Sequence, residues 1–168
     1  MNTKPSKTNK PFNRNDRNQE TANIVKEIID TINGLKPGLQ AYPIRTLVEH
    51  AEQFGPFLRK QRLETNQIRK FLDAINRLKA KITLGDETES HGESKPLKSD
   101  AEVFAEIEPE IVLLKPKLAY AAARQRAAKP LSEVMSVAID KVHSLEDFER
   151  LVQFIESIIA YHKAEGGR

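Results

Sequence analysis

Residues 65–82, TNQIRKFLDAINRLKAKI, decide the fold. Ile68, Phe71, Leu72, Ile75, Leu78 and Ile82 recur at steps of one, three and four, the pattern of an α-helix that buries one face. Thr65 stands where an N-cap residue belongs. The other face carries Arg69, Lys70, Arg77, Lys79 and Lys81 against Asp73 alone, so a single helix combines a core stripe with a basic surface.

The same period extends to both sides. Upstream, Ile24, Ile28, Ile29, Ile32 and Leu35 predict a helix that Gly34 closes. A second helix is expected to open with Pro43 at its first position and to continue through Ile44, Leu47, Val48 and Ala51. Gly55-Pro56 is expected to interrupt it or start a further turn, with Phe54, Phe57 and Leu58 keeping the apolar side. Downstream, residues 85–99 (GDETESHGESKPLKS) have the composition of an acidic linker with Leu97 as the one large apolar residue. Ser99 and Glu102 then form a capping box before Val103, Phe104 and Ile107. Pro109 to Leu114 is expected to be a short helical piece, with Pro116 beginning the next helix. Pro130 resets the chain ahead of Leu131, Val134, Met135, Ala138, Ile139 and Val142. Ser144 with Asp147 caps a last helix whose stripe, from Phe148 to Tyr161, is too broad for a solvated element.

Nothing alternates with period two for the length of a strand, so the fold class is all-α, an irregular bundle of about six helices. Residues 1–19 place Lys4, Lys7, Lys10, Arg14 and Arg17 against Asp16 with almost nothing apolar, the pattern of a disordered basic tail. Residues 20–168 are expected to form a single helical domain interrupted by the 85–99 linker.

Composition excludes several function classes. The chain has no cysteine, which removes disulfides, thiolate nucleophiles and cysteine metal sites together. The basic start lacks the apolar run of a signal peptide, and no segment reaches the length of a membrane span, so a cytoplasmic protein without membrane contact is expected. His50, His91, His143 and His162 are scattered without ligand spacing, and each reads as a surface histidine. Ser132, Ser136 and Ser144 lie near His143 in sequence, but no spacing here ties a nucleophile to a base and an orienting group. No glycine-rich phosphate loop precedes a helix. The expectation is a non-enzyme with no catalytic residue, no metal site and no cofactor.

What remains is charge. The net charge of +3 is modest, so polyanion binding has to rest on local clustering. Residues 114–129, LKPKLAYAAARQRAAK, hold five basic residues, and no Asp or Glu occurs between Ile111 and Ser132. On a helix starting near Pro116, Lys117, Tyr120 and Arg124 share a face, while Arg126 points elsewhere. Tyr120 can either stack on a base or pack in the core. Ala119, Ala121, Ala122 and Ala123 allow close approach of another backbone.

The run Leu113 to Tyr120 (LLKPKLAY) followed by Arg124, together with the ending from Phe154 to Gly167 (FIESIIAYHKAEGG), resembles the small helical subunit of type III-A CRISPR effector complexes. Residues 64–71 (ETNQIRKF) are similar to that family's motif at the start of its long middle helix. The resemblance implies a non-catalytic, all-helical subunit present in several copies. It would contact the backbone of target RNA paired with CRISPR RNA, the other effector subunits and its own copies. By matching position it implies RNA contacts at Lys117 and Arg124, then Arg69 and Lys70, then Arg126. The contacts would be sequence-independent, because the guide already reads the target. A helical protein-interaction adaptor, its basic face turned to an acidic partner, is the alternative. A sequence-specific DNA regulator ranks third, for lack of a helix-turn-helix spacing.

Overall fold

The computed structural model describes residues 14–87 and 98–166. The expected tail up to residue 13 and the expected linker between residues 88 and 97 lie outside the described residues. Seven α-helices are present among them: α1 (Arg14–Asn33), α2 (Ile44–Lys60), α3 (Thr65–Glu87), α4 (Asp100–Val112), α5 (Leu114–Arg124), α6 (Lys129–Ile139) and α7 (Leu145–Ala164). Short 3-10 turns occupy Leu39–Ala41 and Arg126–Ala128. Helix α1 thus begins inside the stretch expected as tail, and α3 runs into the stretch expected as linker.

α7 is the central element. Its broad stripe buries Phe148, Leu151, Val152, Phe154, Ile155, Ile158 and Ile159, against α2 most extensively and against α3 and α4 as well. Side chains of this size are each worth about 1.5–3 kcal/mol when fully buried, which is why one broad-striped helix can hold several narrower ones.

α2 runs unbroken through Pro56, where an interruption or the start of a further turn was expected. Proline removes one backbone hydrogen bond and crowds the preceding turn. Here Leu47, Ala51, Phe54 and Leu58 are buried along one face of the helix, and their packing outweighs that loss. Gly55 is required for a different reason. A Cβ there would lie 2.7 Å from the backbone N of His162 and 2.8 Å from the carbonyl O of Ile158, so α2 and α7 cross with their backbones nearly touching.

The α4–α5 boundary also differs from the expected one. α4 continues through Pro109 to Val112, and the break falls at Leu113. Pro116, in the first turn of α5, has no N–H to give the carbonyl of Val112, so the α4 ladder cannot continue past that point. The capping box at Ser99 and Glu102 is present: the Ser99 N–H donates to Glu102 Oε2 at 2.8 Å, and the Glu102 N–H donates to Ser99 Oγ at 3.4 Å. The Ser99 N–H, and then the Ser99 hydroxyl at 3.0 Å, both donate to the Glu102 carboxylate and hold it below its usual range.

Asp147 does more than start α7. It is buried and accepts the backbone N–H of Gln40 at 2.7 Å and of His143 at 2.9 Å, fastening the 3-10 turn at Leu39–Ala41 to the bundle. A cis peptide joins Lys36 and Pro37 in the same connection. Lys141 donates to the carbonyls of Asn33 and Leu35, both at 3.1 Å, and so closes the C-terminal end of α1.

Two histidines expected at the surface are buried. His50 sits in the α2 stripe, with Nδ1 2.5 Å from the Tyr42 hydroxyl and Nε2 3.6 Å from Glu27 Oε1. Burial, and then the negative charge of Glu27, raises the Tyr42 phenol well above its usual range, so it stays protonated beside His50. His162 is fully buried near the end of α7. Its Nε2–H donates to the carbonyl of Leu63 at 2.8 Å, and Nδ1 faces the Thr65 hydroxyl at 3.4 Å. Thr65 was expected as an N-cap, but its side chain turns inward to this histidine. Burial depresses the His162 pKa below its ordinary 6.5, opposed by the Leu63 hydrogen bond and assisted by the charge of Arg59.

Two outcomes follow from this packing. Gly55→Val should lower the unfolding free energy in urea by about 3 kcal/mol, the upper end for overpacking; unchanged stability would contradict the close crossing of α2 and α7. His162 is neutral in the fold and its pKa is lowered, so the unfolded chain binds its proton first as pH falls below about 6.5. Its contribution is complete above that pH and declines below it. His162→Gln, which retains a donor for Leu63, should show a shallower loss of stability between neutral and mildly acidic pH than the natural sequence, compared by urea titration. Equal pH slopes would remove His162 as the titrating group.

Candidate nucleic-acid interface

The basic residues of α3 and α5 divide into those that have carboxylate partners and those that do not. Lys81 pairs with Glu110 at 2.5 Å and joins α3 to α4. Lys115 pairs with Asp140 at 2.5 Å, and Lys129 lies 3.8 Å from Glu133. Among the described residues, no carboxylate lies within ion-pair distance of Arg69, Lys70, Lys117, Arg124 or Arg126. Helical register decides the division. Leu114 and Leu118 anchor α5 in the core, Lys115 is half-buried on the side nearer α6, and Lys117, Tyr120 and Arg124 are left exposed.

α3 and α5 flank an open groove of about 700 Å³. Its α3 side is formed by Gln67, Lys70, Phe71 and Ala74, and its α5 side by Lys117, Leu118, Tyr120, Ala121 and Arg124. Leu63, at the α2–α3 corner, and Ala128 and Leu131, at the start of α6, complete the wall with Leu114 and Gln125. No carboxylate lines it, so the potential inside is set by three cations. The floor is apolar where Phe71, Leu114 and Leu118 reach it, and the rim is basic.

Tyr120 belongs to this rim and not to the core. It is 65% exposed, which rules out packing in the core. The Arg124 guanidinium carbon stands 5.7 Å from the ring centroid and its Nη1 lies 3.4 Å from the Tyr120 hydroxyl, so ring and cation are held together one helical turn apart. The pair offers two flat, polarizable surfaces beside a positive charge.

Of the residues expected to contact RNA, Lys70, Lys117 and Arg124 converge on the groove. Arg69 neighbours Lys70 on α3 but does not line the groove. Arg126 is exposed in the 3-10 turn beyond α5, also outside it. Sequence spacing did not single out Gln67 and Gln125 as its polar lining. Gln67 stands one helical turn before Lys70, a signal the sequence did contain. Nor did spacing show that Phe71 and Leu118, both expected as core, also form its floor. No group of three or more His, Asp or Glu residues suited to a metal ion occurs among the described residues. No helix among them is long and apolar enough to cross a membrane.

Comparison with known proteins gives one positive result. Neither the curated proteins nor the solved structures contain a match. A protein-family model, that of Csm2 Type III-A, matches residues 41–168, which takes in α2 to α7 and the whole groove. With most of its length matched, the chain belongs to the Csm2 Type III-A family, the small non-catalytic subunits of type III-A CRISPR effector complexes.

Proposed function

We propose that this chain binds the backbone of target RNA paired with CRISPR RNA, in a row of several copies that also touches the other effector subunits. The observation that carries the reading is the convergence of Lys70, Lys117 and Arg124, from two helices far apart in sequence, on one groove without a carboxylate. Phosphate contacts of this kind hold a strand in register and carry no sequence information, which suits a subunit of a complex whose guide does the reading. Arg69 and Arg126, exposed at either side, extend the positive surface beyond the groove. Ala119 and Ala123 of α5 are exposed, as are Val112 and Leu113 at the α4–α5 break at 51% and 55%, and they offer uncharged surface to a neighbouring subunit. Repeated contacts of one protein by unlike surfaces build an open row, the geometry needed to follow an extended duplex. No catalytic role is assigned to any residue in this reading, and the proposed site of action is the cytoplasm.

Lys117→Ala combined with Arg124→Ala should leave the helical circular dichroism unchanged, since both side chains are exposed. RNA affinity should fall, and the slope of log K against log salt should flatten by about 0.7 for each phosphate that the variant no longer neutralises. Unchanged affinity and slope would transfer support to the adaptor reading, in which the basic face meets an acidic protein.

A further inference from the structure

We propose that the groove between α3 and α5 receives one unpaired nucleobase, stacked on Tyr120 and Arg124, while Lys70 and Lys117 hold the flanking phosphates. The inference rests on the RNA-backbone reading and adds to it a base swung out of the strand. Phosphate contacts alone need only a positive surface. Here the cations stand around a concavity whose floor is apolar at Phe71 and Leu118, and such a floor contributes nothing to holding a phosphate. A volume of about 700 Å³ falls in the range, about 300–1,000 Å³, of pockets that take drug-sized ligands, so a nucleobase has room to enter.

The rim adds a second, independent observation. Among the described residues, Tyr120 is the one aromatic in the set of exposed large apolar side chains. Its ring and the Arg124 guanidinium, 5.7 Å apart, present the planar surfaces on which unstacked bases settle in single-strand binding sites. Every base has a π face, so stacking there is compatible with any target sequence. Gln67 and Gln125 supply the other polar lining, and an amide can meet a base edge as donor or acceptor, which is again tolerant of base identity. The absence of lining carboxylates lets the phosphates on either side approach.

The test uses the full chain and two short RNA duplexes, one with 2-aminopurine as a single unpaired bulge and one with the same base paired. The bulged probe should bind about fivefold to a hundredfold tighter, the range that base–aromatic stacking supplies, and its emission should change on binding. Tyr120→Leu should abolish both the preference and the emission change while leaving the salt dependence in place, and Tyr120→Phe should retain them. Equal affinity for the two probes, or a preference that survives in Tyr120→Leu, overturns the base pocket. If the Lys117/Arg124 variant still weakens binding, the backbone reading stands without it. No binding to either probe would overturn both.

Discussion

The near-contact of α2 and α7 at Gly55 is the constraint on which the rest of the bundle depends. Two helices ordinarily stay apart by the length of their interleaved side chains. Where one of them offers only a hydrogen, the axes close in and the flanking residues, Phe54 and Leu58 on one side and Ile155 and Ile158 on the other, pack at full depth. The same crossing places His162 beside the turn between α2 and α3. Its ring ties the carbonyl of Leu63 and the hydroxyl of Thr65 to α7, and so fixes the angle at which α3 departs. Leu63 is itself part of the groove wall, and Lys70 follows less than two turns into α3. A backbone contact in the core thereby positions one side of a surface site.

The opposite side of that site is positioned by division of labour within α5. Its leucines face the core and Lys115 reaches Asp140, leaving Lys117, Tyr120 and Arg124 turned outward. A basic helix is therefore not a uniform basic surface. Lys81, Lys115 and Lys129 have carboxylates beside them, and the cations that converge on the groove do not. Exposed ion pairs contribute little stability, so the partition says more about where positive potential is left uncancelled than about what keeps the chain folded.

Much of this was legible in the residues. Periodicity alone gives the all-α class and the buried faces of α3, α6 and α7, and the capping box at Ser99 and the start of α7 at Ser144 follow from spacing. The family was legible in the LKPKLAY run taken together with the AYHKAEGG ending. The prolines were less readable, because whether Pro56 or Pro109 breaks a helix depends on packing that a local pattern does not contain. His50 and His162 were misassigned by residue type, although each lies on the stripe of its own helix, His50 between Leu47 and Phe54 and His162 after Ile158 and Ile159. Trusting register over the usual habit of histidine would have placed both inside. The groove could not be read from one helix at a time, since it exists only where α3 and α5 meet across more than forty residues of chain.

The family match begins at residue 41, but the hydrophobic core does not. Ile24, Ile28 and Ile32 of α1 are buried against α2 and α6, Glu27 faces His50, and Lys141 of the matched segment closes the end of α1. The matched segment is thus smaller than the unit that folds. A fragment cut at the start of the matched segment would therefore present water with an apolar face, the one that Ile24, Ile28 and Ile32 cover in the intact protein.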